Sequence, residues 1–375
     1  MDVMSKGTLA LFLALSIAAF IAVILLWKRL SKTSFLTITL RISGLIMVNV
    51  LFIATLGLLV NNYGGFYGSW SELFGLEKVV TSVPEEQVLS ISKADLAKAT
   101  ITADGGALIR EVIKGTNSHV TGTILTLLPA SYVHMVEISD DPKAFRIFHV
   151  IQFLSGFPGY PTTWIHGMNM VGNFEKAQLT GAMPPTIAVL PQINILPHRD
   201  TECLDVPAGP QIETWLTKDV VSYEKKFLNL RDERWGVTGY STGGWCSAML
   251  ALRNPDVYMA AAPIAGYFEP QFATTFPAAS LAEMKAKYNI KAIASSNPPA
   301  IKMLFINSLR DASTNKETKD FYSLLQPPVE KSQIILVHSG HNLRAWSKIE
   351  PQLFQWFGKA LKEERIAQAA KASKS

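Results

Sequence analysis

The sequence predicts an α/β protein: a mostly parallel sheet flanked by helices, preceded by an N-terminal hairpin of two transmembrane helices. Three observations predict it. Short apolar runs rich in branched residues alternate with helical patterns from about residue 107 onward. Two long uncharged stretches fall within the first 60 residues. Between them, the alternation and the stretches divide the chain into 1–62 (two spans and a cytoplasmic loop), a linker at 63–105, a catalytic domain at 106–362 and a tail at 363–375. Third, the pentapeptide Gly-Tyr-Ser-Thr-Gly at 239–243 stands where a strand pattern gives way to a helix pattern.

The first apolar stretch runs from Thr8 to Trp27 and the second from Ile42 to Val60, neither with a charge. About 20 such residues span a bilayer as a helix. A cleavable signal peptide is the alternative for the first stretch. It is longer than the usual apolar core of about 7–15 residues, and Lys-Arg-Leu-Ser-Lys follows it instead of a small-residue cleavage site. Residues 28–41 hold Lys28, Arg29, Lys32 and Arg41 and no acid, while residues 1–7 balance Lys6 against Asp2. Short basic loops stay cytoplasmic. The large domain is therefore expected outside the cytoplasm, with Tyr63, Phe66, Tyr67 and Trp70 as an interfacial belt.

Of the 375 residues 48% are hydrophobic and 17% charged, and the excess apolar content lies largely in the two stretches. The net charge of +5 is spread between the 28–41 loop and the tail, with no basic patch interleaved with aromatics, so nucleic-acid binding is not expected.

In the large domain, 146–154, 186–195, 235–240, 260–264, 301–306 and 333–338 read as strands buried on both faces of a parallel sheet. Residues 108–129 read as two antiparallel strands extending one edge. Helical patterns at 215–228, 243–253, 317–325 and 344–362 lie between or after the strands, and strand–helix alternation with right-handed crossovers is the α/β pattern. A short helix is expected near 93–99, and the last dozen residues read as a fraying helix end or a disordered tail.

The 239–243 pentapeptide is weak evidence by itself, because glycine and serine are common. Its setting between the strand at 235–240 and the helix at 243–253 gives it weight. In such a strained turn a serine hydroxyl projects above the sheet. The flanking glycines allow the chains to approach, and the amide of Thr242 at the helix start is free to bond an oxyanion. Ser241 is the candidate nucleophile.

A serine needs a base, and the base needs an acid to orient it; in this fold they follow in the order serine, acid, histidine. Only His338 and His341 follow Ser241. His341, in the loop before the closing helix, is preferred to His338, which ends a strand pattern and is expected to be packed. Asp311, in the loop after 301–306, is preferred as acid over Asp320, which falls inside a helix pattern; the alternative for Asp311 is a helix cap. The strand at 146–154 runs into Ser155-Gly156-Phe157-Pro158-Gly159, from which Phe157, or else Gly156, is expected to give a second oxyanion donor.

Taken in order, FLSGFPGYPTTW, DTECLD, TWLTKDVV, GYSTGGWCSAMLALRNPDVY and SGHNLRAW resemble the branch of α/β-hydrolases that includes esterase D and the antigen 85 mycolyltransferases, over about residues 105–360. The resemblance implies the α/β-hydrolase fold and acyl transfer through an acyl-serine. It implies Ser241, Asp311 and His341 as catalytic residues, with Phe157 and Thr242 as oxyanion donors. The two-helix anchor resembles actinobacterial membrane-bound esterases of unassigned substrate. The chain departs from the mycolyltransferases in its Ser-Gly-Phe turn and in an Asp where they carry a Glu.

Outside the cytoplasm a cysteine pair is expected to bond where geometry allows, so Cys203 and Cys246 are a candidate bridge; two separate buried thiols are the alternative. His198, Asp200 and Glu202 fit no closed zinc spacing, and neither metal nor cofactor is expected. Phe157, Tyr160, Trp164, Trp245, Tyr267 and Phe268 are candidate walls of an acyl cleft, with core packing as the alternative. The expected function is a membrane-anchored serine esterase or acyltransferase acting on an ester, a lipid or glycolipid of the envelope. A non-catalytic scaffold of the same fold is the alternative, and a peptidase or thioesterase would use the same triad.

Overall fold

The computed structural model describes residues 3, 5–31, 34–64, 70–74, 90–196, 199–272 and 281–372. Residues 1–77 and 78–375 form two compact units.

In the first unit, α1 (Lys6–Trp27) and α2 (Phe35–Gly64) are each long and apolar enough to cross a membrane. Ser5 caps α1 by accepting from the Thr8 amide at 3.0 Å. Large side chains such as Leu25 and Ile53 point outward, 71% and 66% exposed, as a lipid-facing surface requires. Two hydroxyls are turned inward instead. The hydroxyls of Ser16 and Thr55 meet at 3.0 Å between the helices, each also close to the carbonyl one turn back. Gly44 admits Val23 of the facing helix. These are the small-residue and hydroxyl contacts that hold helices together in hydrocarbon.

One expectation is corrected here. Arg41 belongs to α2 and not to the connecting loop, because α2 begins at Phe35. Thr37 and Thr39 tolerate the helix by turning their hydroxyls back onto the Ser34 and Phe35 carbonyls. The Arg41 guanidinium lies 4.9 Å over the Trp27 ring and donates to the Trp27 carbonyl at 3.2 Å. Of the aromatics expected at the interface, Phe66 and Tyr67 lie outside the described residues; Trp70 stacks on Phe12 and Phe74.

Among the described residues the second unit is built on nine strands: β1 (Thr100–Ile101), β2 (Ala107–Lys114), β3 (Thr121–Leu128), β4 (His149–Leu154), β5 (Thr186–Pro191), β6 (Trp235–Tyr240), β7 (Tyr258–Ile264), β8 (Lys302–Ser308) and β9 (Glu330–Leu336). Their order in the sheet is β1-β2-β3-β5-β4-β6-β7-β8-β9. The pairs from β1 to β5 are antiparallel and those from β5 to β9 parallel. All residues of β4, β5, β6 and β7 are buried, the pattern of strands covered on both faces. The strand pattern at 333–338 is shifted to 330–336, and its residues are half-buried or exposed, because β9 is the edge strand.

The covering helices include α3 (Met170–Leu179), α4 (Val220–Phe227), α5 (Thr242–Arg253), α6 (Ala312–Leu324) and α7 (Glu350–Ala372). One core packs Trp215, Phe227, Trp245 and Tyr258 on one face of the sheet. The other packs Phe153, Phe174, Phe354 and Phe357. The closing helix continues well past residue 362: Arg234 holds Glu364 through two bonds, at 2.9 and 2.6 Å, which ties this part of α7 to the domain. The short helix after the linker spans Lys93–Leu96 and opens on a capping box between Ser92 and Asp95. Because β4 to β9 run parallel, the loops after β4, β5, β6, β8 and β9 gather at one edge of the sheet, where ligands of such folds bind.

Candidate active site

Ser241 joins the end of β6 to the start of α5 with φ 57° and ψ −121°. A side chain at positive φ is strained and persists only where its surroundings enforce it. They do so here. The Ser241 amide donates to the Ile264 carbonyl at 2.9 Å, and the Ser241 carbonyl accepts from the Gly244 and Trp245 amides. A Cβ on Gly239 would collide with the Gly243 carbonyl, and one on Gly243 with the Leu154 and Ser155 carbonyls. Gly244 is as tightly placed, 2.7 Å from the Ile264 carbonyl for a hypothetical Cβ.

Asp311 stands at the N-cap position of α6, yet its carboxylate makes no bond to the helix backbone. One oxygen, Oδ2, instead accepts from Thr314 Oγ1 at 2.6 Å and meets His341 Nδ1 at 2.6 Å. The His341 side chain is 40% exposed and that of Asp311 10%. The two come from the loops after β9 and β8, on the sheet edge that carries Ser241. Trp346 links the groups: its ring meets His341 edge-on at 4.8 Å and stacks on Tyr240, the neighbour of Ser241, at 5.3 Å. Among the described residues no hydrogen bond joins Ser241 to His341; such bonds often tighten only when substrate is bound.

The rival positions fall elsewhere. Asp320 lies inside α6 and pairs with Lys316 at 2.7 Å. His338 is exposed beyond the end of β9, where packing was expected, because the strand stops at Leu336.

The Thr242 and Phe157 amides donate to no backbone carbonyl among the described residues. The loop carrying Phe157 is packed beside the serine: a Cβ on Gly156 would lie 3.1 Å from that of Ser241. Asn194, after β5, holds this loop by donating to the Gly156 and Gly159 carbonyls at 3.0 and 2.8 Å. Neither Asn194 nor Trp346 was singled out in the sequence. Trp346 stood within the SGHNLRAW segment, whereas nothing in the sequence near Asn194 marks a long-range contact.

Cys203 and Cys246 are bridged, with Cα atoms 5.7 Å apart. Of the three residues considered as metal ligands, His198 lies outside the described residues. Asp200 and Glu202 are engaged otherwise. Asp200 accepts from Thr242 Oγ1 at 2.7 Å and from the Glu202 amide at 2.8 Å. The Glu202 carboxylate accepts from the Gln271 and Phe272 amides and the Tyr267 hydroxyl. Burial pushes both carboxyls above the ordinary carboxylate range, and these hydrogen bonds oppose it. Four of the six aromatics considered as cleft walls, Trp164, Trp245, Tyr267 and Phe268, are buried in the cores. Phe157 and Tyr160 are half-buried.

No family model matches the chain. An uncharacterized protein of Corynebacterium glutamicum is 26% identical over 200 residues, which are 51% of this chain and 46% of that protein, so the match spans less than half of the relative. Among solved structures, an S-formylglutathione hydrolase from Agrobacterium tumefaciens superposes with a TM-score of 0.56 at 15% identity, over 69% of this chain and 97% of that one. A fluorophosphonate-binding serine hydrolase of Staphylococcus aureus gives 0.53 at 16% identity, over 67% and 98%. A ferulic acid esterase from Anaeromyces mucronatus gives 0.53 at 14%, over 74% and 100%. The similarity takes in nearly the whole length of each of these three, and with the sheet order and the strained turn it establishes that the domain built on β1–β9 has the α/β-hydrolase fold.

Proposed function

We propose that this chain is a membrane-anchored serine esterase or acyltransferase that works through an acyl-serine at position 241. One observation carries the reading: an imidazole held by a carboxylate at 2.6 Å lies on the same sheet edge as a serine in a strained strand-to-helix turn. His341 Nδ1–H donates a hydrogen bond to the Asp311 carboxylate and keeps its proton, which leaves the unprotonated Nε2 as the base. Ser241 Oγ attacks the ester carbonyl carbon while its proton passes to Nε2. The carbonyl electrons move to oxygen, and the Thr242 and Phe157 amides hold that oxyanion. Collapse expels the alcohol, which takes the proton from Nε2 and leaves the acyl-serine. Water or a second alcohol then repeats the sequence in reverse.

The tether supports a lipid or glycolipid ester of the envelope as substrate. It is formed by α1 and α2, with Lys28, Arg29 and Lys32 between them on the cytoplasmic side. The three structural neighbours, named as hydrolases and an esterase, support ester cleavage. The Cys203–Cys246 bridge supports a domain outside the cytoplasm.

The test is fluorophosphonate labelling of the full chain in detergent or nanodiscs. Labelling is expected on Ser241 and lost in Ser241→Ala with the fold intact. Unchanged labelling of that variant would overturn the reading. Lipid profiles of a deletion strain, restored with wild type or with Ser241→Ala, test the substrate class: an ester lipid that accumulates in both the deletion and the variant is expected. A C-terminal alkaline phosphatase fusion, active only outside the cytoplasm, tests the orientation.

A further inference from the structure

Three residues of one short loop each grip the helix that starts at the nucleophile. Asp200 accepts from Thr242 Oγ1 at 2.7 Å, the Glu202 carbonyl accepts from Trp245 Nε1 at 2.9 Å, and Cys203 is bonded to Cys246. Thr242 and Cys246 are four residues apart, one turn along a single face of α5. The loop is thus fastened at both ends of the helix's first turn, the turn that presents the Thr242 amide.

The loop is itself held rigid. Glu202 and Cys203 both have positive φ, 50° and 57°, a costly conformation for residues with side chains. The Glu202 carboxylate, 2% exposed, takes the Gln271 and Phe272 amides at 2.8 and 2.7 Å, which anchors the loop on its far side. Asp200 closes the arrangement by accepting from the Glu202 amide at 2.8 Å. So much fixed structure is more than a surface connection after β5 needs.

We infer that Asp200 is a positioning residue: through the Thr242 hydroxyl it fixes the Thr242 amide as an oxyanion donor. The inference rests on the acyl-serine reading above. A donor must stand about 2.7–3.1 Å from where the oxyanion will be, so freedom in the first turn of α5 translates into lost transition-state binding. Asp200 acts through the Thr242 hydroxyl, to which it is bonded.

The test follows the rate at which a fluorophosphonate labels Ser241 in the full-length protein, because the adduct places an oxygen where the oxyanion forms. Asp200→Asn replaces an accepting carboxylate oxygen with a donor and Thr242→Val removes the hydroxyl. Each is expected to slow labelling about ten- to hundredfold, less than outright loss of a donor. The double variant is expected to be no slower than either single variant, because one interaction is removed once. Thr242→Ser restores the hydroxyl and recovers most of the rate lost in Thr242→Val. A wild-type rate in either single variant, additive effects in the double, or no recovery in Thr242→Ser overturns the inference. Because Ser241→Ala and wild type are run alongside, absence of Ser241-dependent labelling in wild type is seen separately: it removes the nucleophile, and the positioning role with it.

Discussion

Asp311 caps α6 by position but His341 by chemistry. Its Oδ2 lies 2.6 Å from the imidazole Nδ1, while no bond reaches the backbone of the helix it begins. The helix cap suggested by the sequence and the proposed catalytic acid are thus the same residue, and its carboxylate bonds the imidazole in place of the helix backbone. Asp311→Asn is expected to keep the fold, since no helix cap is lost, and to lower kcat on a chromogenic ester by about 10³–10⁴-fold, as when the orienting acid of a triad is made an amide. Near wild-type turnover in that variant would remove Asp311 from the triad.

Trp346 lies against His341 at 4.8 Å and against Tyr240, the chain neighbour of Ser241, at 5.3 Å. Trp346→Leu keeps apolar bulk but loses the flat wall, so the imidazole is free to turn. A loss in kcat of about ten- to hundredfold is expected, the size that small misplacement of a catalytic group produces. Trp346→Phe should retain most of the activity. Steady-state kinetics on the two variants compares them directly, and equal losses would point to a packing effect alone.

At Gly243 there is no room for a methyl group, because the carbonyls of Leu154 and Ser155 occupy the space. Gly243→Ala is expected to force the turn apart, with a stability loss of about 1–3 kcal/mol and near-complete loss of fluorophosphonate labelling. Denaturant unfolding and labelling, done in parallel, check both; an active, fully stable variant would contradict the packing.

Glu350 opens α7 with its side chain fully buried, one oxygen accepting from Asn173 Nδ2 at 2.7 Å and the other without a hydrogen bond. Burial pushes its carboxyl up to about 8 from 4.5, against the Asn173 bond. The folded state therefore holds a proton that the unfolded chain releases. The stability this provides is fully present below about pH 4.5 and is lost as pH rises through about 8. Glu350→Gln is expected to melt higher than wild type at pH 9 and to lose that advantage by pH 5, at about 2–4 °C per kcal/mol of difference. Glu224, also raised to about 8 by burial, leaves a smaller dependence of the same sign in the variant. Thermal unfolding across that range checks the sign.

What the sequence made legible was local or ordered along the chain. The turn at Ser241 could be read because its glycines and serine form a contiguous pentapeptide between a strand pattern and a helix pattern, although the carbonyls that crowd Gly243 and Gly244 come from distant segments. Asp311 and His341 could be read because each follows a strand in the expected order. Apolar runs marked the strands but did not rank them by position in the sheet, so the exposure of β9 went unread; neighbours, and not residue types, make an edge. Arg41 stands just before an uncharged stretch and so reads as loop, whereas its guanidinium lies over the Trp27 ring from within α2. Trp164, Trp245, Tyr267 and Phe268 take the core-packing alternative to a cleft wall, because large rings beside a central sheet fill its cores. The roles of Asp200, Asn194 and Trp346 depend on contacts between segments distant in sequence or on ring geometry, which no local pattern encodes.

The crowding at Gly239, Gly243 and Gly244 leaves two side-chain positions beside the serine in this turn, 240 and 242. Both are already spoken for, one by an indole and the other by a carboxylate. A protein of this lineage that changed its preferred acyl group would have to do so through mutations in the surrounding loops, because the turn has no spare position at which to evolve.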